Sequence, residues 1–277
     1  MSAKIHPTAV VGDAVELADD VVVGPYCVLT GKISIAAGTV LLHQVYARGP
    51  LTVGRNNRVY PNVTLGYDPQ DWSFDPNVDG AGTVIGDNNI FRENVTIHRA
   101  TRQTPTTIGN RNMFMACAHV AHDCQVGSYV TLANGALLAG HVTVGDGVFV
   151  GGNAGVHQYC RIGRLAMISG LHGATQDVPP FCNVLENRTI TGLNRVGLRR
   201  AGLRHAIRPL EQAYNILLQS RLNNANGIQR VREEFADVPE CIEFADFIAT
   251  SKRGICRHYN RKDVAMLGDL PGDLTAI

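Results

Sequence analysis

Aromatic residues are scarce in this chain: eight Phe, eight Tyr and one Trp among 277 residues, 6% in all. With 45% hydrophobic content, its core must be built chiefly from aliphatic side chains. Charge of one sign is also lacking. Lys plus Arg number 25 against 24 Asp plus Glu, and a formal net charge of +1 gives no chain-wide field for a nucleic acid or a membrane surface. No apolar run approaches the roughly 20 residues of a membrane-spanning helix, so an integral membrane segment is excluded. Met1-Ser2-Ala3-Lys4-Ile5-His6-Pro7 leads straight into repeating sequence, and the protein reads as cytoplasmic. Finally, Cys117, Cys124, Cys160, Cys182, Cys241 and Cys256 form no Cys-x-x-Cys pair, which argues against a zinc or disulfide framework.

What the chain does have is a period of six. From Ile108 the sixth positions read Phe114, Val120, Val126, Leu132, Leu138, Val144, Val150, Val156, Ile162, Ile168 and Ala174. Four residues after each large position comes a smaller one, from Ala118, Cys124 and Val130 through Ala154, Cys160 and Ala166. A helix would need apolar residues every third or fourth position, so the pattern predicts short extended segments stacked as a solenoid. The same register runs through Ile5, Val11, Leu17, Val23, Leu29, Ile35 and Leu41, and restarts at Val53 and at Ile85. Cys27, Cys124 and Cys160 fall on the small position and are expected to be buried hydrophobes.

The phase breaks at about 66–83 and 99–107, and both breaks are expected to leave the stack as loops. Trp72, in the first, either packs its loop against a neighbour or covers a ligand. Pro179-Pro180 removes two backbone donors and is expected to stop the ladder. From about Gly192 the spacing of Leu198, Leu203, Ile207, Leu210, Tyr214, Leu217 and Leu218 turns helical, as does that of Ile228, Val231, Phe235, Phe244, Phe247 and Ile248. The expected organisation is a β solenoid over 1–187 and a C-terminal helical domain and tail over 188–277. The tail from about His258 carries no period and is expected to be partly mobile.

His98, His119, His122, His141 and His157 occupy none of the inward positions, so apolar packing does not explain them. They are expected on the outside or at a corner of the coil. From Asn187 to Leu210 there is no acidic residue, while Arg188, Arg195, Arg199, Arg200, Arg204 and Arg208 are present. Arg200, Arg204 and Arg208 have the i,i+4 spacing of one helical face.

The hexapeptides, Ala118-His119-Val120-Ala121-His122-Asp123-Cys124 and Asn94-Val95-Thr96-Ile97-His98-Arg99 together resemble the acyl-ACP:UDP-N-acetylglucosamine O-acyltransferase family of lipid A biosynthesis. Leu138-Ala139-Gly140-His141-Val142, Val156-His157-Gln158-Tyr159-Cys160 and Gln176-Asp177-Val178-Pro179-Pro180 add to the resemblance, which extends to about Arg257. It implies a mainly β fold, a left-handed parallel β-helix with three hexapeptides per coil, assembled as a homotrimer with sites between subunits. Residues eighteen apart would then stack about 4.8 Å apart, with 140 over 122, 141 over 123 and 157 over 139.

The resemblance further implies transfer of a fatty acyl chain, long and 3-hydroxylated, from acyl carrier protein to the 3-hydroxyl of UDP-N-acetylglucosamine, with no cofactor and no metal. It assigns the general base to His122, its orientation to Asp123 and the oxyanion donor to the Gly140 N–H, roles these groups suit chemically. Gln70, Asp71, His119, His141, His157, Gly170, Asn194 and Arg200 match substrate-binding positions, Gly170 leaving room for a long chain. The arginine-rich stretch is either a solvated face or a dock for the acidic carrier protein. Departures fall at Trp72-Ser73, where the family commonly reads Leu-Lys, and at Arg188, Val196 and Ala201. They leave open a variant UDP-sugar, or a non-catalytic binder of sugar nucleotide or carrier protein. A metal-dependent hydratase using His98, His119 and His122 is a further alternative on the same scaffold.

Overall fold

A computed structural model describes residues 2–186, 188–220 and 222–258. The remainder of the tail considered above lies outside the described residues. As far as residue 174 the chain winds through short strands that fall in turn into three parallel sheets, each strand pairing with the one three elements later. Register is strict: Val120 faces Leu138, which faces Val156, a step of eighteen residues each time. Both phase breaks are expelled as loops, at the cost of a one-residue bulge at Gly66 where the first leaves the coil. Leu65 faces Ile97 across the first and Ile97 faces Val120 across the second. The product is a left-handed parallel β-helix closed at its C-terminal end by helices.

The inward positions make one continuous core from Val21 to Val184 that merges with the helices. Each fully buried Val, Leu or Ile contributes on the order of 1.5–3 kcal/mol relative to exposure, and the rungs share the load. Only the first coil departs from this: Ile5 stays 48% exposed because no rung lies beneath it. Cys27, Cys124 and Cys160 are buried as expected, and burial pushes the Cys124 thiol up to about 12. It stays protonated and unreactive.

One corner carries a polar spine inside this apolar prism. Thr39, Asn57, Asn89 and Asn112 are buried one above another. The Thr39 hydroxyl accepts from the Asn57 N–H at 3.1 Å, and the Asn57 and Asn89 side-chain oxygens accept from the next N–H up at 2.9 Å. Each amide group also donates to a carbonyl, of Gly86, Gly109 or Gly127. No polar group of the spine is left unmatched, which is the condition for burying it.

Two expectations are corrected at the C-terminal end. Pro179-Pro180 does not stop the ladder: Cys182–Glu186 pairs in parallel with Met167–Ile168 and then turns back antiparallel onto Thr189–Leu193. The prolines sit at a coil corner, where Pro180 packs so closely over Gly163 that a Cβ there would lie 2.3 Å from its nitrogen. The ladder donors are supplied on either side, by Val178 and Phe181. The helices, α1 (Arg195–Arg200), α2 (Ile207–Tyr214), α3 (Asn224–Glu234) and α4 (Pro239–Ala249), begin only after this hairpin. Arg200, Arg204 and Arg208 therefore do not share one helical face. Arg200 ends α1, Gly202 breaks the helix at φ 78°, and Arg204 opens a 3-10 turn before α2.

Candidate active site

Asp123, His141 and Tyr159, eighteen residues apart, turn the same corner of three successive coils with φ of 60°, 61° and 64°. That shared backbone state aims their side chains alike. His141 stacks on Tyr159 with ring centroids 4.5 Å apart and 4° between the planes. Its Nε2 lies 3.7 Å from Asp123 Oδ2. On the preceding residue His122 puts Nδ1 2.7 Å from the same oxygen. An ionised carboxylate can only accept, so Nδ1 carries the proton and Nε2 keeps its lone pair.

Above His122 sits Gly140. A Cβ on Gly140 would lie 2.6 Å from His122 Cε1 and 2.8 Å from Nε2. Only glycine leaves the imidazole its place, and the Gly140 N–H donates to no described residue. A glycine whose N–H has no partner among the described residues thus lies one rung from the His122 imidazole, as the eighteen-residue step requires.

The second loop supplies what the sequence reading missed. Thr101 donates its hydroxyl to Asp123 Oδ2 at 2.6 Å and its N–H to Oδ1 at 3.2 Å, and the Arg102 N–H adds a 3.3 Å contact. Burial works to raise the Asp123 carboxyl, but donors from Thr101 and His122 outweigh it and hold the group below the usual range. Burial, followed by the neighbouring His122, lowers His119, whose Nδ1 lies 2.7 Å from the Thr96 hydroxyl. His141 is lowered chiefly by burial.

His98 departs from its expected place. It points out of the coil but is buried under the first loop, edge-on to His119 at 5.0 Å, and burial pushes it down to about 4. Beside it Arg99 is wholly buried, with Nη2 2.7 Å from Asp68 Oδ1 and its guanidinium 5.4 Å from the Phe74 ring. Arg48 meets the other Asp68 oxygen at 3.1 Å. These contacts seat the loop that carries Asp71. There the Ser73 N–H and hydroxyl hold the Asp71 carboxyl below its ordinary range, with His122 and His141 adding to the effect.

Gln70, Gly170 and Arg200 are exposed, and Trp72 is fully solvent-exposed in the single chain. Asn194 is buried and its amide is used within the chain: Oδ1 accepts from the Gly197 N–H, capping α1, and Nδ2 donates to the Leu165 carbonyl. His157 meets Arg253 rather than the other histidines. Among the described residues, only His122, Asp123 and His141 bring metal-ligating atoms together, within 4.8 Å. The 2.7 Å between His122 and Asp123 is a hydrogen bond, shorter than the about 3.3 Å separating two ligands of one tetrahedral zinc.

Fold and site together define a transferase of the hexapeptide-repeat class, and the model of the bacterial transferase hexapeptide, six repeats, matches residues 105–140. A second family model, UDP N-acetylglucosamine O-acyltransferase domain 2, matches residues 177–256. The acyl-[acyl-carrier-protein]–UDP-N-acetylglucosamine O-acyltransferase of Thermodesulfovibrio yellowstonii is 43% identical over 258 residues, 92% of this chain and 99% of that one. Its namesake from Syntrophobacter fumaroxidans is 40% identical over 92% and 100%. The crystal structure of the Francisella novicida UDP-N-acetylglucosamine acyltransferase superposes with a TM-score of 0.88 at 34% identity, covering 97% of this chain and 99% of its own. The chain belongs to the acyl-[acyl-carrier-protein]–UDP-N-acetylglucosamine O-acyltransferase family.

Proposed function

We propose that this protein moves a 3-hydroxylated fatty acyl chain from acyl carrier protein to the 3-hydroxyl of UDP-N-acetylglucosamine, the first step of lipid A biosynthesis, as a cytoplasmic homotrimer. The observation that carries the reading is the stacking of Gly140 on an imidazole already oriented by Asp123. His122 Nε2 takes the proton of the sugar hydroxyl as its oxygen attacks the thioester carbonyl. The Gly140 N–H receives the oxyanion, the carbon–sulfur bond breaks, and the departing thiolate takes the proton back from His122. Asp123, anionic and held by Thr101, keeps Nδ1–H in place and stabilises the imidazolium between the two transfers.

Asp71, Gln70, His119, His141 and His157 line the substrates in this reading. Asn194, whose amide is taken up by the helix cap, is left to structure. The exposed Arg199, Arg200, Arg204 and Arg208 offer the acidic carrier protein a cationic surface. In keeping with the assembly, no described helix is long and apolar enough to cross a membrane, and Trp72, Leu137, Phe149 and Leu171 are exposed in the single chain.

Mass spectrometry of products from mixed acyl carrier protein thioesters and UDP-sugars tests the reading. We expect one O-acylated UDP-N-acetylglucosamine carrying a long 3-hydroxyacyl group. An N-acylated or different sugar would redirect the acceptor, and no acyl product would leave a binding protein. Gly170→Met should shift the product mass toward shorter acyl chains, and an unchanged distribution would remove Gly170 from the chain-length site.

A further inference from the structure

The contact between His157 and Arg253 joins residues 96 apart in sequence, and it has no part in the catalytic steps above. Arg253 Nη2 lies 2.8 Å from His157 Nδ1, while its Nε donates to the Thr175 carbonyl at 3.1 Å. A guanidinium has five donors and no acceptor, so the ring nitrogen it meets must present a lone pair. The 3.2 Å approach of the same Nδ1 to the Gln158 carbonyl is then not a hydrogen bond. The ring proton resides on Nε2.

Arg253 is brought there by an over-determined backbone. The segment from Ser251 to Cys256 lies against Asp177: the Ser251 hydroxyl donates to Asp177 Oδ2 at 2.8 Å, the Asp177 N–H donates to the Gly254 carbonyl at 2.8 Å, and the Cys256 N–H donates to the Asp177 carbonyl at 2.9 Å. Arg161 grips the same carboxylate from the coil, N–H to Oδ1 at 2.8 Å and Nε to Oδ2 at 2.9 Å. His157 itself is exposed at its corner and has no other side-chain partner among the described residues.

We propose that Arg253 is a positioning residue: it fixes the His157 tautomer and ring orientation, so that Nε2–H is offered as a donor to an acceptor oxygen of the acyl donor or sugar nucleotide. The proposal rests on the reading that His157 lines the substrate site. Through it the segment after α4 becomes part of the site rather than a fastening at the end of the coil.

The test has two arms. In ¹⁵N-histidine-labelled full-length protein, with the His157 signals assigned by their loss in His157→Ala, long-range ¹H–¹⁵N correlations should show Nδ1 unprotonated and Nε2 protonated. Arg253→Met should mix the tautomers and Arg253→Lys should largely restore the pattern. A protonated Nδ1 in the wild type would overturn the proposal. In kinetics Arg253→Met should lower kcat/KM about ten-fold alone and less than about two-fold in a His157→Ala background. Independent, multiplying effects would mean that Arg253 is only a staple. Absence of any acyl transfer by the wild type would refute the proposed function while leaving the tautomer arm readable.

Discussion

At the scale of single residues the site is governed by what has no side chain and by what is kept from water. Gly140 does not occupy a left-handed backbone state, so alanine is conformationally allowed there. Its Cβ, however, would lie 2.6 Å from His122 Cε1. The ring must swing away and lose Asp123, and we expect Gly140→Ala to lower kcat about 100-fold or more with the thermal midpoint nearly unchanged; retained activity would place the reacting groups elsewhere. His98 gives a pH signature of a different kind. The folded chain resists its protonation down to about 4, against an ordinary value of 6.5. The unfolded chain takes up that proton first, so stability falls as pH drops through this window, by about 2 kcal/mol at pH 4.5. Urea unfolding at pH 7 and pH 4.5 should show that loss shrinking in His98→Gln. An identical slope would mean that His98 is readily protonated in place. Asp123, whose carboxyl is depressed, loses its contribution chiefly below its ordinary 3.8 and adds little to the comparison.

At the scale of elements, legibility follows locality. The six-residue period exposed the coil because every rung repeats the same two inward positions, and a step of eighteen is enough to bring His122 under Gly140 and Asp123 under His141. Neither loop repeats anything, so Thr101 carried no signal beyond lying where the phase fails, and Arg99 none beyond its place at the end of the Asn94–Arg99 motif. The asparagine spine was hidden for another reason: Asn57, Asn89 and Asn112 look like turn residues until their neighbours above and below are known. The arginine spacing misled because i,i+4 presumes an unbroken helix, and Gly202 breaks it. The first loop supplies a further test. Arg99 Nη2 and Asp68 Oδ1 are close in charge at 2.7 Å yet without an aligned hydrogen bond among the described residues. Their worth is electrostatic, and removing the cation leaves a half-buried carboxylate with Arg48 alone. Arg99→Met should cost about 1–3 kcal/mol in stability and raise KM for the sugar nucleotide through misplacement of Asp71. Unchanged KM would uncouple the loop anchor from the acceptor site.

At the scale of the whole molecule the coil acts as a ruler. Chemistry needs an imidazole, a carboxylate and an amide donor placed to within a few tenths of an ångström, and parallel rungs with fixed register supply that spacing without any one residue bearing the strain. The helical end adds a cationic surface and, through Arg253, a second anchor on the site. The most direct trial of this arrangement is turnover of His122→Ala with acyl carrier protein thioester and UDP-N-acetylglucosamine, alongside its mass by sedimentation. We expect a fall in kcat of at least about 10³-fold in a particle that keeps the wild-type mass. Turnover close to wild type in that particle would contradict the role given to His122.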